Sequence, residues 1–69
     1  MAENGKGAAI VTGGASGIGK EIARGLAQDG FAVIIADVNE SLGRQVAGEL
    51  ARETGARLEF LKVDVTDRA

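Results

Sequence analysis

The chain has 69 residues, a formal net charge of −2 at pH 7, and neither cysteine nor histidine. It is long enough for one small domain at most, and the two missing residue types exclude a disulfide and argue against a transition-metal site. Interspersed charges predict no nucleic-acid surface, the apolar run 31–36 is too short to span a membrane, and residues 1–7 carry no secretory signal, so we expect a cytoplasmic protein.

The first predicted unit is a strand, a glycine-rich turn and a helix. Residues 7–11 form a short apolar run of the kind found in strands that are buried on both faces. Four of the seven residues 13–19 are glycine, and Ser16 or Gly17 is placed to cap the helix that follows. Gly30 is expected to end that helix in the left-handed conformation. Its apolar side is predicted to contain Ile18, Ile22, Ala23, Leu26 and Ala27.

A second strand, a second helix and a third strand are predicted next. Residues 31–36 are apolar throughout and indicate a buried parallel strand. Helical spacing returns over residues 39–54, and Gly55 follows as the stop signal. Residues 57–65 alternate in part between apolar and polar, which is typical of an edge strand, and Thr66 or Asp67 is placed to cap a further helix.

Alternating strands and helices favour a parallel sheet with right-handed crossovers. Two crossovers in the same direction give the strand order 3-2-1 and place both helices on one face, so that the other face is bare. Because the first two strands are apolar at consecutive positions, we expect residues 1–69 to be the first half of a larger doubly wound domain. The alternative is that another chain covers the bare face.

One interpretation of the glycine turn is a phosphate-binding P-loop. Residues 14–20 match Gly-x-x-x-x-Gly-Lys, in which the lysine reaches the β/γ-phosphates and the next residue provides a hydroxyl for magnesium. Here the next residue is Glu21, whose carboxylate adds negative charge and provides no hydroxyl. The sequence therefore disfavours a kinase or NTPase, and Lys20 is expected to be a solvated helix residue.

The second interpretation is a dinucleotide-binding turn. Gly13, Gly17 and Gly19 suit a tight turn, a close approach to pyrophosphate and close packing of helix on strand. Asp37 ends the second predicted strand, where an acid can accept hydrogen bonds from ribose hydroxyls, and Asp64 ends the third. The alternatives are a turn that binds no ligand, an Asp37 that caps the next helix, and an Asp64 that is a loop or cap carboxylate.

Residues 12–19, Thr-Gly-Gly-Ala-Ser-Gly-Ile-Gly, resemble the Thr-Gly-x-x-x-Gly-Ile-Gly segment of the classical short-chain dehydrogenases/reductases. Residues 26–33 and 64–66 are also similar to segments of that family, so the resemblance covers residues 7–67. It implies an α/β fold, the N-terminal βαβαβ part of a Rossmann doubly wound parallel sheet, which has three α/β/α layers when complete. Residues 1–69 would then be the N-terminal half of a single NAD(P)-binding domain.

The resemblance also implies a set of cofactor-binding residues. Asp37 would hold the adenosine ribose, and Asp64 with Val65 would contact the adenine. NAD is favoured over NADP, because a carboxylate repels a 2′-phosphate and neither Ser16 nor Val38 supplies a basic side chain. The residues expected around the diphosphate are Thr12, Gly13, Ser16, Gly17, Ile18 and Gly19.

The family's reduction chemistry depends on a tyrosine and a lysine four residues apart, aided by a serine and an asparagine. This sequence contains no tyrosine, so we assign no catalytic residue and no metal ligand within it. The resemblance predicts an NAD-dependent oxidoreductase that interconverts an alcohol and a ketone or aldehyde as a homo-oligomer, a tetramer or dimer. From charge and hydropathy we expect no nucleic-acid or membrane partner. The alternative is a noncatalytic dinucleotide-binding or interaction module.

Overall fold

The computed structural model of the chain describes residues 7–63. The elements are β1 Ala8–Thr12, α1 Gly17–Gln28, β2 Ala32–Asp37, α2 Glu40–Thr54 and β3 Leu58–Lys62. The three strands are parallel and form one sheet in the order β1-β2-β3, with β2 in the centre. This confirms the predicted alternation of strands and helices and the predicted strand order. The further helix predicted at Thr66 or Asp67 lies outside the described residues.

Local signals define both ends of α1, as predicted. Ser16 is the N-cap, and its side chain accepts a hydrogen bond from the backbone N–H of Gly19 at 3.3 Å. At the other end Gly30 has a φ of 103°, and its N–H donates to the carbonyl of Ala27 at 3.1 Å. The N–H of Phe31 then donates to Leu26, which completes a Schellman motif and turns the chain into β2. Gly55, with a φ of 76°, likewise ends α2.

The core lies between the sheet and the two helices. Val11, Ile35 and Phe60 are register partners across the three strands, so their side chains share the face on which the helices pack. Ile35 on β2 and Leu50 on α2 are fully buried. Burial of each such side chain stabilises the fold by about 1.5–3 kcal/mol relative to exposure. The centre of the core is therefore held by the middle strand and the second helix.

The opposite face of the sheet is bare within the described residues, as the crossovers predicted. Ile10 on β1 is 63% exposed and Leu61 on β3 is 53% exposed. The apolar run of β1 is typical of a strand that is buried on both faces, and residues 7–63 provide one of the two layers. Both described helices pack against the same face of the sheet, so the side chains that alternate onto the other face meet no second layer among these residues.

The packing face of α1 differs from the prediction. Ile18 and Ile22 were expected on its buried side but are 79% and 52% exposed. The helix instead packs through Gly19, Ala23 and Ala27, which are buried. Small residues permit a closer approach of the helix to the sheet, and this rotates the two isoleucines away from the core.

Neither helix is long and apolar enough to cross a membrane, among the residues described here.

Gly43 lies inside α2, where glycine costs roughly 0.5–1 kcal/mol relative to alanine. A Cβ at this position would lie 2.1 Å from Cε1 and 2.4 Å from Cδ1 of Phe60 on β3. The Phe60 ring packs against the core on one side, and the guanidinium carbon of Arg44 lies 5.7 Å from its centroid. The absence of a side chain at Gly43 therefore permits α2 to approach β3 closely.

Gly43→Ala is expected to lower the free energy of unfolding by about 1–3 kcal/mol, because the added methyl group overpacks the contact with Phe60. The matched control is Gly25→Ala in α1, where a Cβ meets no described atom within 4 Å. That change should raise the free energy of unfolding by up to about 1 kcal/mol through helix propensity. Urea unfolding of the polypeptide that carries this sequence measures both, and equal effects would contradict the close-packing explanation.

Candidate functional site

A cleft of about 280 Å³ opens at the carboxyl edge of the sheet. The N–H of Gly13 donates to the carbonyl of Ala36 at 2.7 Å, which continues the β1–β2 pairing into the glycine turn. The N–H of Val63 similarly donates to the carbonyl of Asp37 at 3.0 Å. Open α/β sheets bind their ligands at this edge. The residues that line the cleft are Thr12, Gly13, Ala36, Asp37, Val38 and Val63.

The structure brings three of the predicted site residues, Thr12, Gly13 and Asp37, into this cleft. Asp64 and Val65, the predicted adenine contacts, lie outside the described residues. Val38 and Val63 also line the cleft, although neither was predicted as a site residue. The only available signal for Val63 was its place immediately before Asp64 at the expected end of the third strand.

The three glycines of the motif meet three different structural conditions. Gly13 has a φ of 69°, in the left-handed region that favours glycine, and it makes the sharp exit from β1. A Cβ on Gly19 would lie 2.2 Å from the carbonyl oxygen of Gly13 and 2.9 Å from the Cα of Gly14. Glycine at these two positions is therefore required by the fold itself.

Gly17, the first residue of α1, differs from both. Its φ is not positive, and a Cβ there would meet no described atom within 4 Å. Neither the backbone conformation nor the packing of residues 7–63 therefore requires glycine at this position. Space that a Cβ would fill is what a dinucleotide turn leaves for a closely approaching pyrophosphate.

The start of α1 presents unpaired backbone donors beside this space. Gly19 donates to the Ser16 hydroxyl, and Lys20 donates to the Ser16 carbonyl at 2.7 Å. The N–H groups of Gly17 and Ile18 meet no acceptor among residues 7–63. The side chain of Ile18 is exposed at the same end of the helix. Such N–H groups, together with the helix dipole, favour an anion.

Ser16 links the turn to the helix through its hydroxyl. The hydroxyl donates to the carbonyl of Gly13 at 2.8 Å and accepts from the N–H of Gly19 at 3.3 Å. The N–H of Ser16 also donates to the carbonyl of Gly13, at 3.1 Å. Ser16 therefore caps the helix and also joins the end of the turn to its first residue, Gly13.

The Asp37 carboxylate lies between the glycine turn and the start of α2. Its Oδ2 accepts from the N–H of Ala15 at 3.1 Å, and its Oδ1 accepts from the N–H of Asn39 at 3.0 Å. The hydrogen bonds from the N–H groups of Asn39 and Ala15 lower the pKa of Asp37 below its ordinary value, so the group is charged at neutral pH. Asn39, not Asp37, is the N-cap of α2, because its side chain accepts from Leu42. The alternative role of Asp37 as the helix cap is therefore wrong.

Lys20 does not take the position that a P-loop would require. Its Nζ forms an ion pair with Oε1 of Glu49 on α2 at 3.1 Å. Glu21, where a P-loop has a hydroxyl, forms an ion pair with Arg24. Lys20 therefore links α1 to α2 through an ion pair that was not predicted from the sequence. Its amine lies beside α2. Residues 7–63 contain no group of three or more histidines, cysteines or acids that could hold a metal ion.

Comparison with known proteins gives consistent results. The family model described as short chain dehydrogenase matches residues 7–69. A 3-beta-hydroxysteroid dehydrogenase of Comamonas testosteroni is 44% identical over 61 residues, and the match covers 88% of this chain and 22% of that protein. The dehydrogenase LinX of Sphingobium indicum, which acts on 2,5-dichloro-2,5-cyclohexadiene-1,4-diol, is 43% identical over 61 residues, covering 88% of this chain and 24% of its own length.

Solved structures agree with these relatives. L-sorbose reductase from Gluconobacter frateurii, solved in complex with NADPH and L-sorbose, superposes with a TM-score of 0.81 at 33% sequence identity. The match covers 91% of this chain and 24% of that chain. The present chain thus spans about a quarter of the length of the proteins that it matches.

We expect Gly19→Ala to destabilise the cofactor-free fold by about 1–3 kcal/mol, because its methyl group would collide with the backbone of Gly13 and Gly14. Gly17→Ala, two residues away in the same motif, should leave the stability unchanged or slightly raised, because the space beside it is open. Urea midpoints of the two variants test this difference. A similar loss of stability in both would show that the fold requires glycine at each position.

Proposed function

The chain belongs to the short-chain dehydrogenase/reductase family, and on this basis we propose that it holds the adenosine-diphosphate part of NAD in an oxidoreductase. The complete enzyme would interconvert an alcohol and a ketone or aldehyde by hydride transfer. The observation that carries the proposal is the open space at Gly17, which the packing of residues 7–63 leaves unexplained and a diphosphate would fill.

The start of α1 supports the diphosphate assignment. The N–H groups of Gly17 and Ile18 are available to phosphate oxygens, and the positive end of the helix dipole adds to the attraction. Gly13 and Gly19 hold these donors at the end of β1, and Ser16 caps the helix. Thr12, at the end of β1, lines the cleft at the carboxyl edge of the sheet, and we propose that it also lies near the diphosphate.

The Asp37 carboxylate supports the ribose assignment. An ionised carboxylate has about four acceptor positions, and the bonds from Ala15 and Asn39 occupy one on each oxygen. The backbone N–H of Val38 also acts on this carboxylate, which leaves at least one position for a ribose hydroxyl. Val38 and Val63 provide apolar surface in the same cleft, which suits the faces of an adenine ring. The proposed adenine contacts from Asp64 and Val65 extend this part of the site.

The preference for NAD over NADP rests on charge. Among the described residues that line the cleft, Asp37 is the one ionised group, and its charge would repel a 2′-phosphate. Lys62 is the register partner of Asp37 on β3 but does not line the cleft. L-sorbose reductase was solved with NADPH, so family membership alone does not select the cofactor.

When bound, the nicotinamide ring supplies or accepts the hydride, while the residues of this chain bind and orient the other end of the cofactor. We assign no catalytic proton donor within it. We propose in addition a small-molecule alcohol or carbonyl substrate and a homo-oligomer, which the family resemblance implies, and a cytoplasmic location. The native mass of the complete polypeptide, measured by light scattering, tests the oligomer.

Gly17→Ala tests the diphosphate site directly. Its methyl group would occupy space that the diphosphate needs, so the Kd for NADH should rise by at least about tenfold while the fold stays intact. NADH fluorescence titration of the complete polypeptide measures this, with Gly25→Ala as the matched control. Unchanged affinity would contradict the assignment, and binding without any oxidoreductase activity would favour the noncatalytic alternative.

Asp37→Ala tests the choice between NAD and NADP. Loss of the carboxylate removes the repulsion of a 2′-phosphate and the acceptors for the ribose hydroxyls, so the ratio of NADPH affinity to NADH affinity should rise at least about tenfold. Both cofactors are titrated against wild type and variant under the same salt conditions. The ratio cancels any effect that the two cofactors share, and an unchanged ratio would refute the preference.

A further inference from the structure

We propose that Asp37 is a positioning residue for the glycine turn, and that its carboxylate holds the turn through the N–H of Ala15 before any cofactor binds. Ribose recognition and the shape of the diphosphate site would then depend on one side chain. The inference rests on the proposed function only for its consequence in cofactor binding. The contact itself is a property of the chain.

The Ala15–Asp37 bond joins segments that are 22 residues apart in sequence. Most other hydrogen bonds of the turn are local: Ser16 donates to Gly13 through its N–H and its hydroxyl. The bond from Gly13 to Ala36 fixes the first residue of the turn. Among the hydrogen bonds of residues 7–63, the one from Ala15 joins the middle of the turn to β2, which ends at Asp37.

The carboxylate is well suited to hold the turn because it is itself held on its other side. Oδ1 accepts from the N–H of Asn39, and Asn39 in turn caps α2 through its bond from Leu42. Ala15 is a buried residue of the turn and its bond to Asp37 is partly buried, so its N–H has reduced access to water as an alternative acceptor. Asp37 therefore connects the turn to the first residues of α2.

This arrangement gives Asp37 two separable effects on the cofactor. One is direct, through the ribose hydroxyls that its free acceptor positions would bind. The other is indirect, because the turn leads into Gly17 and Ile18, whose N–H groups would bind the diphosphate. Loss of the carboxylate should therefore weaken binding even of a ligand that has no ribose hydroxyls.

The first experiment measures amide hydrogen exchange in the cofactor-free complete polypeptide. In Asp37→Ala the amide of Ala15 should exchange at least about fivefold faster, the equivalent of one lost hydrogen bond. The amides of Ala23 and Leu50 report the core and should keep their wild-type rates. Glu59→Ala is the matched control, because it removes an exposed carboxylate of β3 that pairs with Arg57, and β3 does not neighbour β1 in the sheet.

An unchanged exchange rate for Ala15 would overturn the proposal. If Asp37→Ala loosens the core as well, Asp37→Asn replaces it, since the amide is close in size and keeps one oxygen acceptor. The exchange rates of Ala15 and Asn39 are then read together, because one oxygen cannot hold both N–H groups as the carboxylate does. Wild-type rates at both positions would also overturn the proposal.

The second experiment uses an NADH analogue whose adenosine ribose lacks the 2′ and 3′ hydroxyls. If Asp37 acts only through those hydroxyls, Asp37→Ala leaves the affinity for the analogue unchanged, or raises it by removing a negative charge near the diphosphate. We expect the affinity to fall roughly fivefold. A fall supports the positioning role, and no fall overturns its consequence for binding.

The two experiments separate this inference from the proposed function. If wild type binds neither NADH nor the analogue, the proposed function fails, and the exchange of Ala15 still decides whether Asp37 holds the turn. If NADH binds and Ala15 exchanges at its wild-type rate in Asp37→Ala, the positioning role fails and the dinucleotide site stands.

Discussion

The close contact between the start of α1 and the glycine turn is the constraint on which the site depends. A Cβ on Gly19 would lie 2.2 Å from the carbonyl oxygen of Gly13, so no side chain separates the two segments. This close contact allows the helix to begin within a few residues of the end of β1, so that its first N–H groups lie at the carboxyl edge of the sheet. The left-handed conformation of Gly13 makes the same sharp path possible from the strand side.

The same close approach explains how α1 packs along its length. Its buried residues Ala23 and Ala27 are small, whereas Ile18 and Ile22 remain outside the core. A parallel sheet normally carries helices on both faces, and the described residues cover one of them. The exposed Ile10 lies on the other face. These apolar surfaces accord with a chain that spans about a quarter of the length of its relatives.

Much of the fold could be predicted because its signals are local. A serine before a helical pattern and a glycine after it place Ser16 and Gly30 at the ends of α1, and continuous apolar runs place the strands. The packing face of α1 was not predictable in this way. Helical spacing groups Ile18 with Ala23 and Ala27, but it does not say which edge of that stripe meets the sheet, and close packing selected the small residues.

For the candidate site, sequence patterns placed Thr12, Gly13 and Asp37 at the carboxyl edge, because parallel strands end there and the motif places glycines after the first strand. The dinucleotide-turn pattern assigned a tight turn, a close approach and close packing to the three glycines, but it did not identify the atoms that each would meet. The folded structure shows that Gly13 is required by conformation, Gly19 by packing, and Gly17 by neither within residues 7–63. The hydrogen bond from Ala15 to Asp37 was not predictable either, because every residue except proline has a backbone N–H and the residue type does not indicate which one donates to a side chain. It depends on two segments that are adjacent only in the folded chain.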